Sequence, residues 1–230
     1  MSDFTKYGSC LIPVSYWGSV HAYAIMLQSE KVYLEACEHY QKQTFRNRCR
    51  IMAANGIMDL TVPILNGSSS DVAIRESKIA YTTPWQAVHW KTLVSAYKTS
   101  PYFEYYQDDL LRFYDRPYLL LWDYLELQRE FAWECIGWKP DISYTNAYEQ
   151  HPLKEVDDFR ALLSPKAQEY MEEVQKKYAQ FPYYQVFAHK FGFIPDLSIL
   201  DLIFNMGPES LLVLQSLPGR VFPKLSDKLP

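Results

Sequence analysis

Apolar positions along this chain fall first into short blocks and later into longer helical periods. Residues 9–14 form an apolar run that predicts a first strand, and 15–18 read as a turn. From 20 to 28, Val20, Tyr23, Ala24 and Leu27 share one helical face, and 32–36 return to a strand pattern. Strand, helix and strand within about thirty residues predict a βαβ unit with parallel strands. Asn55-Gly56 between apolar runs is a strong hairpin signal. With that pair as the loop, Ala54 pairs with Ile57, Ile51 with Leu60, Arg50 with Thr61 and Cys49 with Val62. Cys49, Ile51, Met58, Leu60 and Val62 then share one face, and Arg48, Arg50, Asp59 and Thr61 the other.

Beyond the hairpin, 65–71 read as a polar loop and 74–81 as a further strand. Thr83, Pro84 and Gln86 suit the N-cap, first and third positions of a helix running to about Tyr97. Further helices are predicted over 101–114 and over 118–135, the second stopping before Gly137, with a short strand at 142–144. The charged stretch 149–163 reads as an irregular, lid-like connection. Ser164-Pro165 cap a helix with Ala167, Met171, Val174 and Tyr178 on one face. Ser198 and Asp201 form an acidic capping box. Asn205-Met206-Gly207-Pro208 stop that helix, and 209–216 form a last short one. The expected fold is α/β. A parallel or mixed sheet begins with a βαβ-like unit, and the C-terminal half is largely helical. It forms one domain over 1–230, sheet-rich in 1–82 and helical in 83–230.

Composition narrows the function classes. The chain has 230 residues, a formal charge of −4 and a pI near 5.8, which argues against general nucleic-acid binding. Nineteen tyrosines and six tryptophans suit bulky cores and pockets. Cys10, Cys37, Cys49 and Cys135 lie far apart, without a CxxC pair or a His at zinc spacing, and read as reduced thiols. No apolar run approaches the roughly 20 residues of a membrane span, and no cationic apolar leader opens the chain, so a cytoplasmic protein is expected. No Walker loop, GxSxG elbow or metal-ligand pair is present, and the pattern names no cofactor.

Against the acidic background, 40–50 concentrate Lys42, Arg46, Arg48 and Arg50. Arg46 and Arg48 are candidates for bidentate contact with a phosphate or carboxylate ligand, an anionic small molecule. The bland reading gives each a structural partner such as Asp59. Asn47 serves a ligand or a turn, and Lys42 reads as solvated. Tyr16, Trp17 and Gly18 stand where the first parallel strand hands over to its helix, where α/β folds bind ligands. Gly18 would admit a close backbone approach, and the helix N-terminus would favour an anion. Glu35, at the end of the second strand, is an acid–base candidate or a partner for Arg46. His89 is the best of the five histidines as a proton carrier, against a packed core histidine. Asp201 and Asn205, four apart, read as ligand or capping residues.

Three blocks carry a resemblance. KVYLEACEHYQKQTFRNRCRIMAANGIMDLTVPI, WQAVHWKTLVSAYKTSPYFEYY and PYYQVFAHKFGFIPDLSILDLIFNMGPES follow in order and span nearly the whole chain. Together they resemble the WbqC-like protein family. The resemblance implies a bacterial cytoplasmic protein associated with surface-polysaccharide (O-antigen-type) biosynthesis, of unassigned activity. Many members begin with His-Gln-Pro-x-Tyr-x-Pro-Trp-x-Gly-Tyr-Phe after the first strand. Here Ile12-Pro13-Val14-Ser15-Tyr16-Trp17-Gly18-Ser19-Val20 lacks the leading His and Gln. Two functions follow as expectations. One is a transferase-like enzyme using a phosphorylated or nucleotide-linked intermediate. The other is a non-catalytic, anion-binding accessory protein of the same pathway.

Overall fold

A computed structural model describes residues 7–65, 72–150, 155–219 and 221. The chain opens as expected with β1 (Tyr7–Pro13), α1 (Val20–Gln28) and β2 (Ser29–Glu35), the two strands parallel. Ser19 caps α1, its hydroxyl accepting from Ala22 N at 3.3 Å, while Asp196 Oδ1 accepts from His21 N at 2.9 Å. All nine residues of α1 are buried, so its single apolar face is replaced by burial all round. The helix packs on β1 and β2 on one side and on the late helices α7 (Ile199–Met206) and α8 (Ser210–Ser216) on the other.

Two short strands complete a four-stranded parallel sheet of order β5-β2-β1-β6. β5 (Ile142–Tyr144) stands where the sequence puts it. β6 (Val156–Asp158) lies inside the stretch expected to be irregular, of which 151–154 are outside the described residues. Its acidic sequence hides it: Val156-Asp157-Asp158 has no strand-like apolar pattern, and pairing with β1 is what makes it a strand. Register sorts the sheet into two faces. Cys10, Ile12, Val32 and Leu34 turn into the core, and Leu11, Tyr33, Glu35 and Val156 share the other face.

The hairpin is a separate sheet of β3 (Arg48–Ala53) and β4 (Gly56–Thr61). Its register differs from expectation by two residues: Ala53 meets Gly56, Ile51 meets Met58 and Cys49 meets Leu60. The loop is Ala54-Asn55. Only Gly56 takes a positive φ, +117°, whereas a loop of Asn55-Gly56 in the mirror-image turn needs two such residues. A two-residue slip preserves parity, so the face assignment survives. Cys49, Ile51, Leu60 and Val62 are buried, and Arg48, Arg50, Asp59 and Thr61 face outward; Met58, expected on the core face, is 41% exposed near the hairpin's tip.

The expected strand over 74–81 is instead a 3-10 turn (Ile74–Glu76) followed by two isolated bridges, Lys78 to Leu120 and Ile79 to Ile64. Ile74 and Ile79 are buried anchors rather than alternating strand positions. The expected loop 65–71 lies mostly outside the described residues. The helices are α2 (Trp85–Tyr97), α3 (Phe103–Leu111), α4 (Leu121–Ile136), α5 (Gln168–Tyr178) and α6 (Ala188–Phe191), before α7 and α8. α4 ends at Gly137 in the left-handed conformation, φ +76°.

Two expected caps are absent. α2 starts one residue late with no side-chain cap, because the Gln86 amide donates to the Phe113 and Arg116 carbonyls instead. α5 starts at Gln168, and Ser164 closes a local turn by accepting from Lys166 N. Ser198 does cap α7. Asp201 does not complete the box, because Tyr97, Tyr183 and Gln185 all donate to its buried carboxylate.

Candidate functional site

Open parallel sheets bind ligands beyond the carboxyl ends of their strands. Such a cleft of about 340 Å³ is present here. Tyr33 and Glu35 come from β2, Tyr144, Thr145 and Asn146 from the end of β5, and Arg160 from the turn after β6. Glu35 is fully buried at its base. One carboxylate oxygen accepts from Arg160 Nη1 at 2.7 Å. The other accepts from the Thr145 hydroxyl at 2.7 Å and from Cys37 N at 2.8 Å. The Thr145 oxygen in turn accepts from Ala36 N at 2.9 Å, so it donates in one direction only.

Arg160 ties the three strands' ends together. Its Nε and Nη2 donate to Asp158, Nη2 also to the Glu149 carbonyl at 2.7 Å, and its plane lies 4.8 Å from the Tyr148 ring centre. Burial alone would pull the Arg160 pKa down. The Asp158 and Glu35 carboxylates outweigh it and hold the guanidinium firmly charged. Of its five N–H groups, these bonds leave one on Nη1. The result is a rigid polar base beneath aromatic walls, already organised before any ligand arrives.

Residues 21–213 match the model of the WbqC-like protein family. The chain belongs to that family. The matched span begins at His21, past β1 and the Tyr16–Gly18 turn. An uncharacterised protein of Mycobacterium tuberculosis, Rv1507c, is 27% identical over 195 residues, covering 74% of this chain and 81% of that protein. No solved structure matches the chain. Among the described residues no helix is long and apolar enough to cross a membrane.

The WbqC-like fold distributes the sequence candidates unevenly, and Glu35 is the one that lines this cleft. Its cation is Arg160, not Arg46. Arg46 is itself buried and forks onto Glu38, with Nε 2.7 Å from Oε1 and Nη2 on Oε2. Burial pushes the Glu38 carboxyl up, and Arg46 counters it. The Arg46 fork is therefore filled from within the chain. Arg48 and Arg50 share Asp59 on the outer face of the hairpin at 3.2 and 3.4 Å, a pairing largely screened by solvent. Asn47 donates to the Val62 carbonyl at 2.7 Å and closes the base of the hairpin. Lys42 is exposed. Gly18 does meet a close neighbour, but one within the chain: a Cβ there would sit 2.6 Å from Ser15 Oγ and 3.3 Å from the Tyr23 ring.

Tyr16, Trp17 and His89 join a buried hydrogen-bond chain. Trp17 Nε1 donates to the Tyr114 hydroxyl at 2.9 Å. Tyr16 and Tyr114 hydroxyls lie 3.2 Å apart, and Tyr16 reaches His89 Nδ1 at 2.9 Å. An indole can only donate, so the Tyr114 oxygen accepts from Trp17; the Tyr114 hydrogen then has the Tyr16 oxygen as its partner, which leaves the Tyr16 hydrogen for His89 Nδ1. Burial lowers the His89 pKa to about 4, so its ring is neutral at pH 7. Trp17 holds φ +41°, which is costly for an aromatic residue, and this network together with Ser198 Oγ on its carbonyl over-determines it.

Sequence reasoning missed Arg160, Thr145 and Asn146. The signal for Arg160 was slight: an Asp-x-Arg spacing after an apolar residue at the end of an unrecognised strand. For Thr145 and Asn146 it was their place immediately after β5, the same rule that singled out Glu35.

Proposed function

We propose that this WbqC-like protein binds a sugar-bearing intermediate of surface-polysaccharide assembly, phosphorylated or nucleotide-linked, in the Glu35–Arg160 cleft. One observation carries the reading. A buried ion pair closes the base of a sugar-sized cleft at the carboxyl edge of a parallel sheet. Buried pairs contribute little net stability against apolar replacements, so a recognition role accounts better for this one. Tyr33 and Tyr144 offer ring faces, Asn146 and Glu149 offer donor and acceptor groups, and Arg160 offers its remaining N–H. Arg46 takes no part in this reading, because Glu38 occupies its fork.

A transferase-like activity is the second reading. The buried Glu35 carboxylate beside the cleft favours it, since a preorganised charge can stabilise charge that develops during group transfer. A thermal-shift panel of nucleotide sugars, sugar phosphates and free sugars tests the binding. A ligand at about 100 times its Kd adds roughly 2.7 kcal/mol. That raises Tm by about 5–11 °C for a chain of this length. Asn146→Ala, at an exposed wall position, should weaken the response about tenfold, the loss of one hydrogen bond of roughly 1.4 kcal/mol. No response from any compound, or a response that Asn146→Ala leaves unchanged, refutes the reading. Turnover of the hit, followed by release of nucleotide or phosphate, separates enzyme from binding protein.

A further inference from the structure

Charge decides which end of a sugar-bearing ligand can reach the base of the Glu35–Arg160 cleft. Two carboxylates, Glu35 and Glu149, line it with one cation, Arg160. That guanidinium is shared further with Asp158. Three acidic groups therefore surround a single cation, which has one N–H left to give. A phosphate or carboxylate brought there meets a surplus of its own sign, and like charges in close contact repel strongly. An uncharged ring meets no such opposition. Leu11, Tyr33 and Val156 offer an apolar surface for its C–H face. Tyr144 adds only its ring, because its hydroxyl donates to Glu126 and accepts from Arg129 Nη2 at 3.2 Å. The spare Arg160 N–H and the Glu149 carboxylate suit sugar hydroxyls.

The charged end of such a ligand has a place on the same sheet face. Strand alternation puts Lys31, Tyr33 and Glu35 of β2 in one row. Ser9 is the register partner of both Lys31 and Val156, so Lys31 stands level with a residue that lines the cleft. The Lys31 side chain is half-buried, and its Nζ lies 5.3 Å from the centre of the Tyr33 ring. Among the described residues no carboxylate pairs with it. Four strand residues, about 13 Å, separate it from Glu35, room for a ring and one phosphate laid end to end.

We propose that the ligand lies ring-first: an uncharged sugar on the Glu35–Arg160 base, and its phosphate on the Lys31 ammonium beyond Tyr33. This rests on the reading of the cleft as a sugar site. Calorimetric titration of the full chain with glucose 1-phosphate, UDP-glucose, UDP-N-acetylglucosamine and UDP-glucuronic acid tests it. The tightest ligand with a neutral ring should bind at least about tenfold more tightly than UDP-glucuronic acid, which carries a carboxylate on the ring. Lys31→Gln should weaken that tightest ligand about tenfold, the loss of one charge-assisted contact. Lys31→Arg, which keeps the charge, should retain most of the affinity. Equal binding of UDP-glucuronic acid overturns the proposal, and so does an affinity that Lys31→Gln leaves unchanged. An equal loss in Lys31→Gln and Lys31→Arg, the mark of a merely structural lysine, overturns it too. Binding that Asn146→Ala weakens and Lys31→Gln does not keeps the cleft as the site and sinks this orientation alone. No binding by any of the four compounds sinks both.

Discussion

Removing the Arg46 side chain should cost this protein more stability than any ligand role could explain. Arg46 and Glu38 are each 2% exposed, joined by two charge-assisted hydrogen bonds. Arg46→Met leaves the Glu38 carboxylate buried without a cation, a loss of about 3–5 kcal/mol. For a chain of this length each kcal/mol moves Tm by about 2–4 °C, so the variant should melt roughly 6–20 °C early with no ligand present. The deficit should depend on pH in a definite direction. Without Arg46, the folded Glu38 pKa rises further above its unfolded value. The penalty is then absent below the unfolded pKa and grows as pH rises toward the folded one. Calorimetric melts at about pH 5 and about pH 7.5 should therefore show the larger deficit at the higher pH. The double variant Glu38→Leu/Arg46→Met, which removes both charges, should recover most of the loss. An Arg46→Met protein that melts within about 2 °C of wild type at both pH values would refute the structural role and return Arg46 to the ligand candidates.

Two further outcomes follow from buried groups. Burial lowers the His21 pKa to about 3 while Tyr170 and Tyr178 hold both ring nitrogens. Below about pH 6.5 the unfolded chain therefore takes up a proton that the folded one refuses, and stability falls as pH falls. Asp196 and Asp201, raised by burial to about 7 and about 6, act in the opposite sense. Relative to wild type, His21→Gln should lose about 1.4 kcal/mol for each pH unit gained between about pH 4 and 6, read by urea denaturation; a parallel pH profile contradicts this. Gln128 is 1% exposed with neither amide atom paired among the described residues, so Gln128→Met should stabilise by about 1–2 kcal/mol. A lower Tm in that variant would mean that buried water satisfies the amide.

Local features were legible and long-range pairings were not. The bounds of α1 and the parallel pairing of β1 with β2 follow from periodicity and spacing over thirty residues. The hairpin's faces were legible because parity survives a slip of two, while its register depended on which residue takes the positive φ. β6 was invisible, since an acidic tripeptide becomes a strand only when β1 supplies the ladder. The site shows the same division. Glu35 could be placed at a strand end from sequence alone, but its cation lies 125 positions away. The arginine-rich segment advertises charge, yet whether that charge is available depends on Glu38, which folding brings beneath it. His89 was legible as a proton carrier or a packed core histidine, and its burial, at 4% exposure, is what sequence could not show.

The buried chain from Trp17 to His89 also orders its protons. Its first member can only give a hydrogen. The order in which every hydroxyl hydrogen has a partner therefore runs one way, from Tyr114 to Tyr16 to His89. A ring of hydroxyls could reverse its sense at no loss; this row would strand the Tyr114 hydrogen. The segment following the first strand is thereby latched, and the latch acts as a template that lets a sharply bent backbone persist at the mouth of the sheet.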